Sequence, residues 1–197
     1  FVGTEFGMYF SMDAGISWRK FKKVPTIPIR DLEIHEGEDD LVAASFGRGF
    51  YIVDDYSPIR EYSRQIDQKP AHLFSVKSTY QYVVAAPEKT ATGHNFFTSP
   101  NPPYGIKLSY YLGNSLLSKF EERQNEESDK FSKGEIIDYP SAKKLEDEAK
   151  EKTPKIYLTI SDSQGKVVRR ISANKNRGYH EKYWDLRTFS QRNIDDE

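Results

Sequence analysis

A seven-residue motif occurs twice in this chain, and the interval between its two occurrences restricts the fold more than any other feature. The sequence GMYFSMD at residues 7–13 aligns with GFYIVDD at residues 49–55, an interval of 42 residues. Around both occurrences, short apolar runs alternate with Gly, Asp and Pro, which is typical of antiparallel strands joined by turns. The repeat therefore predicts two similar antiparallel β-sheets that follow each other along the chain.

The apolar runs predict seven strands in residues 1–62. They are expected near residues 1–4, 7–12, 18–21, 30–35, 40–46, 49–54 and 59–62. Pro25, Pro28 and Pro58 fall between these strands, as expected for a residue that cannot donate a ladder hydrogen bond. A repeat of roughly 40 to 50 residues is typical of β-propeller blades. We therefore interpret this region as one partial blade, whose first strand lies upstream of Phe1, and one whole blade.

Composition excludes several classes of function. The chain has 29 Lys and Arg against 30 Asp and Glu, a net charge of -1, so it has no general attraction for nucleic acid. It contains no cysteine, which rules out disulfides and thiolate metal sites. Its four histidines show no ligand spacing, so we expect neither a metal nor a cofactor. No apolar run reaches the roughly 18 residues that a membrane span needs, so none is expected.

Residues 11–18, with the sequence SMDAGISW, contain the pattern S-x-D-x-G-x-x-W. In a β-turn of this composition the carboxylate of Asp13 can accept backbone hydrogen bonds, Gly15 can adopt a positive φ, and Trp18 can cover the hairpin. The pattern resembles the Asp box, or BNR repeat, of sialidases, sortilin-type receptors and other β-propellers. That resemblance implies a structural turn on the outer rim of the propeller, in which Asp13 is not catalytic. Its signature residues are Ser11, Asp13, Gly15 and Trp18.

The wider sequence of residues 1–62 resembles the closing blades of a bacterial group of BNR-repeat, glycosyl-hydrolase-like proteins related to the sortilin (VPS10) propeller. The resemblance is carried by VGTEFGMY at 2–9, RDL at 30–32, SFGRGFYIVDD at 45–55 and SPIR at 57–60. It implies a secreted or cell-envelope protein with further blades upstream, which would be partners of this segment. The second repeat departs from the Asp-box pattern, because Val53 replaces the serine and Arg60 replaces the tryptophan.

Arg48, in the sequence FGRG at residues 46–49, is the candidate binding residue. The two glycines would let the backbone approach a ligand, and the guanidinium offers a forked, permanently charged donor. In the propellers that this region resembles, inner-strand ends line the central channel. The alternative is structural, since Arg48 could pair with Asp31, Asp54 or Asp55 and lock neighbouring strands together.

The sequence offers no catalytic set. A sialidase-like site would need an arginine cluster, a tyrosine nucleophile with a glutamate partner and an acidic aspartate, and glycosidases in general need two opposed carboxylates. Glu5, Asp31, Asp54 and Asp55 lie near strand ends, where acidic residues are ordinary turn formers. We therefore predict no catalytic residue in this chain.

Residues 63–103 are expected to connect the first region to a second β-domain. They contain one predicted strand pair, at 72–76 and 80–85, and end in the proline-rich sequence SPNPP at 99–103, which marks a domain boundary.

Residues 104–197 predict that second domain, with strands near 106–112, 156–161, 166–171 and 183–186. Its terminal sequence resembles the first half of a FlgD-type immunoglobulin-like domain, which implies a truncated β-sandwich. Residues 113–153 would be an insertion, because 19 of the 34 residues from 119 to 152 are charged. We predict one short helix at 142–150 within an otherwise solvated and mobile insertion.

Together these features predict an all-β chain: the last blades of a β-propeller, then a truncated immunoglobulin-like β-sandwich with a charged, partly helical insertion. The leading functional hypothesis is a noncatalytic fragment of a secreted, sortilin-like propeller that binds a protein or carbohydrate ligand. The alternative is the supporting C-terminal part of a sialidase-like glycoside hydrolase whose catalytic residues lie upstream. A purely structural envelope or adhesion component is a third class, because fold alone does not decide function.

Overall fold

The computed structural model of the chain describes residues 1–63, 65–83 and 102–188. These residues form eleven β-strands, three α-helices and one 3-10 turn, and every strand pair is antiparallel. The prediction of a mainly β chain with small antiparallel sheets is confirmed. The chain divides into two compact units, of which the first comprises Phe1–Gln68 with Phe74–Tyr104 and the second comprises Lys69–Leu73 with Gly105–Glu197.

The first unit contains two three-stranded sheets that follow each other along the chain. The strands of the first sheet, in spatial order, are β1 (Val2–Thr4), β2 (Gly7–Phe10) and β3 (Arg19–Lys20). The strands of the second sheet, in spatial order, are β4 (Ile29–His35), β5 (Asp40–Ser45) and β6 (Phe50–Val53). Strands are therefore present at six of the seven positions predicted in residues 1–62.

The pairing of the first sheet assigns each side chain to a face, because directly opposed residues point to the same side. Val2, Tyr9 and Lys20 lie in one row and belong to what we call the outer face. Gly3 and Met8 are opposed on the other, inner face. Met8 is completely buried, so the inner face is the one that packs into the core.

The second sheet has one buried face and one open face. Leu41 and Ala43 are completely buried, whereas Phe50 and Ile52 on β6 are 74% and 60% exposed. The open face carries two rows of opposed residues, which are Asp31, Ala44 and Phe50 in one row and Glu33, Val42 and Ile52 in the other. The second sheet thus keeps an apolar surface in contact with solvent.

The two sheets pack together around one apolar core. Its buried members are Met8, Phe21, Val24, Ile27, Ile29, Leu41, Ala43 and Tyr56. The approach is close, because a Cβ atom added to Gly3 would lie 2.7 Å from Cγ2 of Ile29. Full burial of a large apolar side chain is worth about 1.5 to 3 kcal/mol, so this core is the main source of stability for the first unit.

The strand predicted near residues 59–62 is wrong, because helix α1 (Ser57–Glu61) occupies that position. Pro58 cannot donate to a β-ladder but suits the first turn of a helix. Arg60 then donates a hydrogen bond to a carboxylate oxygen of Asp39 at 2.6 Å, which holds the helix against the turn between β4 and β5. The second sheet is left without a fourth strand.

The second unit contains a three-stranded sheet and a hairpin. The sheet has the order β11, β8, β7, with β7 at Ala71–Leu73, β8 at Ile106–Leu112 and β11 at Gly178–Trp184. The hairpin joins β9 (Ile156–Ser161) to β10 (Val167–Ala173). The hydroxyl of Tyr110 donates to the carbonyl of Asn174 at 3.1 Å and accepts from its N–H at 2.7 Å, so a buried side chain of β8 fixes the end of the hairpin.

The strand pair predicted at 72–76 and 80–85 is wrong in its pairing. β7 pairs with β8, with Ala71 opposite Leu112, instead of with a strand near residue 80. Residues 80–83 form no strand, and residues 84 and 85 lie outside the described residues. Of the prolines predicted to mark a boundary, Pro100 also lies outside them, and Pro102 and Pro103 precede β8. Strand β8 is long and apolar, and its backbone groups on one edge need hydrogen-bond partners. The short strand β7, which follows Pro70, supplies these partners.

The insertion contains two helices where one was predicted. Helix α3 (Ala142–Lys150) agrees with the prediction, and the Ser141 hydroxyl caps it by accepting from the Lys144 N–H at 3.3 Å. Helix α2 (Lys119–Ser132) corrects the expectation of solvated, mobile chain. It begins with a capping box between Ser118 and Glu121, a start signal that outweighs the lack of an apolar face.

The core assignment predicts unequal costs for two apolar truncations. Leu41→Ala should lower the free energy of unfolding by about 2 to 5 kcal/mol, because it empties a fully buried position. Ile16→Ala is the matched control, since Ile16 is 86% exposed and should change that free energy by no more than about 0.5 kcal/mol. Urea unfolding followed by tryptophan fluorescence measures both, and equal losses would contradict the assigned core.

Candidate functional site

The turn between β2 and β3 is held by the side chains of Ser11 and Asp13. The two carboxylate oxygens of Asp13 accept hydrogen bonds from the backbone N–H and the hydroxyl of Ser17, at 2.8 and 2.5 Å. The hydroxyl of Ser11 accepts from the N–H of Gly15 at 2.7 Å and donates to Asp13 at 2.9 Å. Gly15 has a φ of 91°. The polar groups of this turn are thus engaged with the turn itself, which leaves Asp13 in a structural role.

Trp18 lies beside this turn at the start of β3. A Cβ atom added to Gly15 would meet Cζ2 of Trp18 at 3.7 Å, so the indole covers the glycine in ordinary van der Waals contact. The side chain remains 48% exposed. It therefore shields one side of the turn and leaves the other side of its ring in solvent.

A second Asp-based turn occurs at the equivalent position of the second repeat. Asp55 has a φ of 50°, and one carboxylate oxygen accepts from the N–H and the hydroxyl of Ser57 at 3.2 and 2.5 Å. Arg60 stands where the first repeat has Trp18, and its guanidinium lies 5.0 Å from the ring centre of Tyr56. The aspartate keeps its turn-forming role in both repeats, while an arginine replaces the covering indole.

The loop between β5 and β6, residues 46–49, is an exposed candidate for binding, and we call it the Arg48 turn. It is closed at its base by Ser45, whose N–H and hydroxyl both donate to the carbonyl oxygen of Gly49, at 3.0 and 2.7 Å. Gly47 and Gly49 have φ values of 77° and 74°, and a Cβ atom added to either would meet no atom within 4 Å. The turn therefore has a fixed base and an open tip.

Aromatic side chains flank both ends of the Arg48 turn. Phe46 is 66% exposed and Phe50 is 74% exposed. The guanidinium of Arg30 lies 4.9 Å from the ring centre of Phe46 and donates to a carboxylate oxygen of Glu5 at 3.1 Å. Phe46 is thereby oriented by a cation-π contact, which is worth about 0.5 to 1 kcal/mol at an exposed site.

The guanidinium of Arg48 is exposed and forms no hydrogen bond or ion pair with any residue that the structure describes. The structural alternative, a pair with Asp31, Asp54 or Asp55, is not formed within that part of the chain. Asp31 instead accepts from the N–H of Leu32 at 2.9 Å. All five donors of Arg48 are consequently available to a carboxylate or phosphate group from outside.

Two carboxylates elsewhere in the first unit, those of Asp39 and Glu5, have cationic partners. A hydrogen bond from Arg60 holds the pKa of the Asp39 carboxyl below its usual range, and Lys77 adds a second cation at 3.5 Å. Glu5 pairs with Arg30. In the described ranges no three His, Cys, Asp or Glu side chains come together as a metal site would require. The prediction that this chain holds no catalytic residue stays a prediction.

The two helices of the insertion are joined by a charge network. Nε and Nη2 of Arg123 donate to the two carboxylate oxygens of Glu148 at 2.8 and 2.9 Å, and Nη1 donates to Glu127 at 2.8 Å. These hydrogen bonds raise the pKa of Arg123 and lower the pKa of Glu148. A cleft beside them is lined by side chains of both signs, namely Lys119, Glu122, Arg123, Glu126, Ser141, Lys143, Lys144 and Asp147. The network holds the two helices together. Because the cleft is lined by both positive and negative side chains, it favours neither an anionic nor a cationic ligand.

Two exposed apolar groups were missed by reasoning from the sequence. The first is Phe50 with Ile52 on the open face of the second sheet. The second comprises Phe131 in the last turn of α2 and Ile136 and Tyr139 in the segment before α3, which are 77%, 86% and 87% exposed. The repeat contained a signal for the first group, because residues 50 and 52 align with residues 8 and 10 of the first sheet.

Comparisons of the chain with protein-family models, with curated proteins and with solved structures found no significant match. The case for a function therefore depends on the residues described above. No helix in residues 1–63, 65–83 and 102–188 is long and apolar enough to span a membrane, in agreement with the sequence.

Removal of the Asp13 carboxylate should weaken the fold. Asp13→Ala removes the acceptors of the Ser17 N–H and hydroxyl, which are exposed and can bind water instead, so we expect the free energy of unfolding to fall by about 0.5 to 1.5 kcal/mol. Asp138→Ala is the control, because Asp138 is exposed in the segment between α2 and α3. Urea unfolding curves compare the two variants, and an unchanged midpoint for Asp13→Ala would show that the turn does not need its carboxylate.

Glu121 should titrate far below the ordinary pKa of a glutamate. The hydrogen bond from Lys175, with further bonds from Ser118, lowers the pKa of Glu121 from 4.5 to about 2. A depressed folded pKa means that these contacts stabilise the fold above the ordinary glutamate range, and that this stabilisation is lost as the pH falls toward 2. An NMR pH titration of the side-chain carboxyl carbon should give a midpoint near that value.

The matched variants for this titration are Lys175→Met and Lys133→Met. Lys175→Met should raise the midpoint of Glu121 partway toward the ordinary value, since the Ser118 bonds remain. Lys133→Met, which removes an exposed charge elsewhere in the insertion, should leave the midpoint unchanged. Equal midpoints in all three proteins would contradict the assigned ion pair.

Proposed function

We propose that this chain is a noncatalytic binding fragment of a larger, sortilin-like β-propeller, and that the Arg48 turn contacts its ligand. The observation that carries the binding role is the exposed guanidinium of Arg48, without a partner among the described residues and raised on an open, glycine-flanked tip. Permanently charged forks of this kind recognise carboxylate and phosphate groups. A protein side chain or an acidic sugar could supply such a group.

The repeat of similar sheets supports the proposal that residues 1–62 are propeller blades. Tyr9 and Tyr51 align at the 42-residue interval, and each has a small or β-branched residue directly opposite on the preceding strand, Val2 and Ala43 respectively. The turn that follows each aligned strand is organised by an aspartate, Asp13 in one repeat and Asp55 in the other. A propeller is built from such repeated antiparallel sheets.

The flanking aromatic residues support a ligand with an apolar or sugar surface beside its acidic group. Phe46 and Phe50 present exposed rings on either side of Arg48, and Arg30 holds the Phe46 ring in place. Aromatic rings beside a guanidinium can bury apolar surface of a ligand, while the guanidinium orients the acidic group of that ligand. The proposed ligand is therefore an acidic protein segment or an acidic carbohydrate.

The second unit is proposed to be a spacer or docking module with a partial immunoglobulin-like fold. Its two antiparallel sheets and the alternating burial of Ile156, Leu158 and Ile160 support this reading. The proposed location is extracellular or in the cell envelope, and it follows from the resemblance of residues 1–62 to the BNR-repeat group. The charged helix pair would project from this module as an insertion.

The proposal is tested by binding and turnover measured in parallel. The chain should be screened against an array of sialylated and neutral glycans and acidic peptides, and incubated with chromogenic glycosides. Arg48→Ala should weaken binding to any acidic hit at least about tenfold, because one charged hydrogen-bonded pair is worth about 1.4 kcal/mol or more. Arg48→Lys should recover only part of the loss, since an ammonium cannot form a fork.

The control variant for binding is Arg170→Ala, which removes an exposed arginine of β10 in the second unit. It should leave the affinity of the same hit unchanged. Turnover of a glycoside with no binding to any array member would overturn the proposal in favour of hydrolysis. Equal losses in Arg48→Ala and Arg170→Ala would show that the ligand responds only to overall charge.

A further inference from the structure

The two sheets of the first unit pack through faces that are not equivalent. Alignment of the repeats matches Tyr9 with Tyr51, and Val2 and Ala43 lie directly opposite these tyrosines. The outer face of the first sheet therefore corresponds to the buried face of the second sheet, where Ala43 is completely buried. On the first sheet the same position is open, because Val2 is 37% exposed.

The other pair of corresponding faces, the inner face of the first sheet and the open face of the second, is buried on the first sheet and exposed on the second. Met8 and Phe10 on the first sheet align with Phe50 and Ile52 on the second. Met8 is completely buried against the second sheet and Phe10 packs on the same core, whereas Phe50 and Ile52 are 74% and 60% exposed. The second sheet thus has an exposed face that corresponds to the face by which the first sheet packs against the second.

The same correspondence extends to the size of the residue at closest approach. Gly3 is opposite Met8 and lies against Ile29, and its counterpart opposite Phe50 is Ala44. A small residue at both positions allows another sheet to come near the backbone of β5, as Ile29 does at β1. The open face is therefore shaped as a continuation of the interface already present.

The open face of the second sheet and the outer face of the first sheet also carry charges of opposite sign. The open face of the second sheet carries the exposed carboxylates of Asp31 and Glu33 in the same rows as Phe50 and Ile52. The outer face of the first sheet carries Lys20 in the row of Val2 and Tyr9. Opposite charges at the margins of two apolar surfaces favour their association, and two identical acidic faces would repel each other.

We propose that the chain associates head to tail: the open face of the second sheet (Ala44, Phe50, Ile52) binds the outer face of the first sheet (Val2, Tyr9, Lys20) in a second molecule of this chain. Each contact repeats the packing between the two sheets of one molecule. Because the two surfaces differ, the interface is heterologous and each bound molecule offers a new open face. This association is a property of the chain of 197 residues and does not depend on ligand binding; in the larger propeller proposed above, the same two faces would contact neighbouring blades.

Two double variants block one face each. Phe50→Glu with Ile52→Glu places two carboxylates in the apolar contact, and their desolvation outweighs what one exposed lysine returns. Val2→Glu with Lys20→Glu brings carboxylates against Asp31 and Glu33. All four positions are at least one-third exposed, so the fold should survive, which circular dichroism and urea unfolding would verify.

Sedimentation velocity over a hundredfold range of protein concentration tests the proposal on the full chain of 22.8 kDa. The unmodified chain should grow in mass beyond a dimer, either to a closed ring of a few molecules or without limit, because a heterologous interface closes only where its rotation permits. Each double variant alone should stay monomeric, with self-association weakened at least tenfold. An equimolar mixture of the two should form a one-to-one dimer and stop there, because each partner contributes its one intact face.

The control is Phe131→Glu with Ile136→Glu, which adds the same charge to exposed apolar residues of the insertion and should leave association unchanged. Arg48→Ala should also leave it unchanged, which separates this proposal from ligand binding. A monomeric unmodified chain would overturn the proposal. So would a plateau at a dimer that persists in the Val2→Glu, Lys20→Glu variant, or a mixture that remains monomeric.

Discussion

The contact of Met8 with the buried face of the second sheet, formed by Leu41 and Ala43, is the interaction on which the first unit depends. Each sheet has only three short strands, and such a sheet needs an apolar partner to be stable in water. Gly3 makes this contact possible, because a larger side chain would collide with Ile29. The rest of the unit, including its turns and helix α1, is arranged around that pair of faces.

Arginine side chains provide the next level of order in both units. Arg60 holds α1 through Asp39, Arg30 positions Phe46, and Arg123 joins the two helices of the insertion through Glu148. Several of these contacts are solvent-exposed and individually weak, and their effect is to fix orientation more than to add stability. Arg48 differs from them, since its position on a glycine-flanked tip gives it no described partner to orient.

Much of the first unit could be predicted from sequence because strand alternation and turn residues act locally. The Asp-based turn at residues 11–18 and the strand positions follow from such local preferences. Helix α1 was missed because its residues were assigned to a strand from their spacing in the repeat, whereas Pro58 favours the first turn of a helix. The start of helix α2 could have been predicted, because Ser118 and Glu121 form a capping box, whereas its contact with Glu148 is distant in sequence. The pairing of β7 with β8 joins residues that are also distant in sequence. Whether Arg48 is paired depends on the positions of the side chains of Asp31, Asp54 and Asp55, which the sequence does not give.

Within residues 1–63, 65–83 and 102–188, strand β6 lies at the edge of its sheet, with the sequence FYIV at residues 50–53. A short aromatic and β-branched segment with an unpaired edge is prone to form intermolecular β-structure. Arg48 precedes this segment and Asp54 and Asp55 follow it, so charges stand at both of its ends. Charged residues in such positions act as gatekeepers against aggregation. Arg48, the arginine proposed to bind a ligand, thus also contributes to the colloidal solubility of the protein.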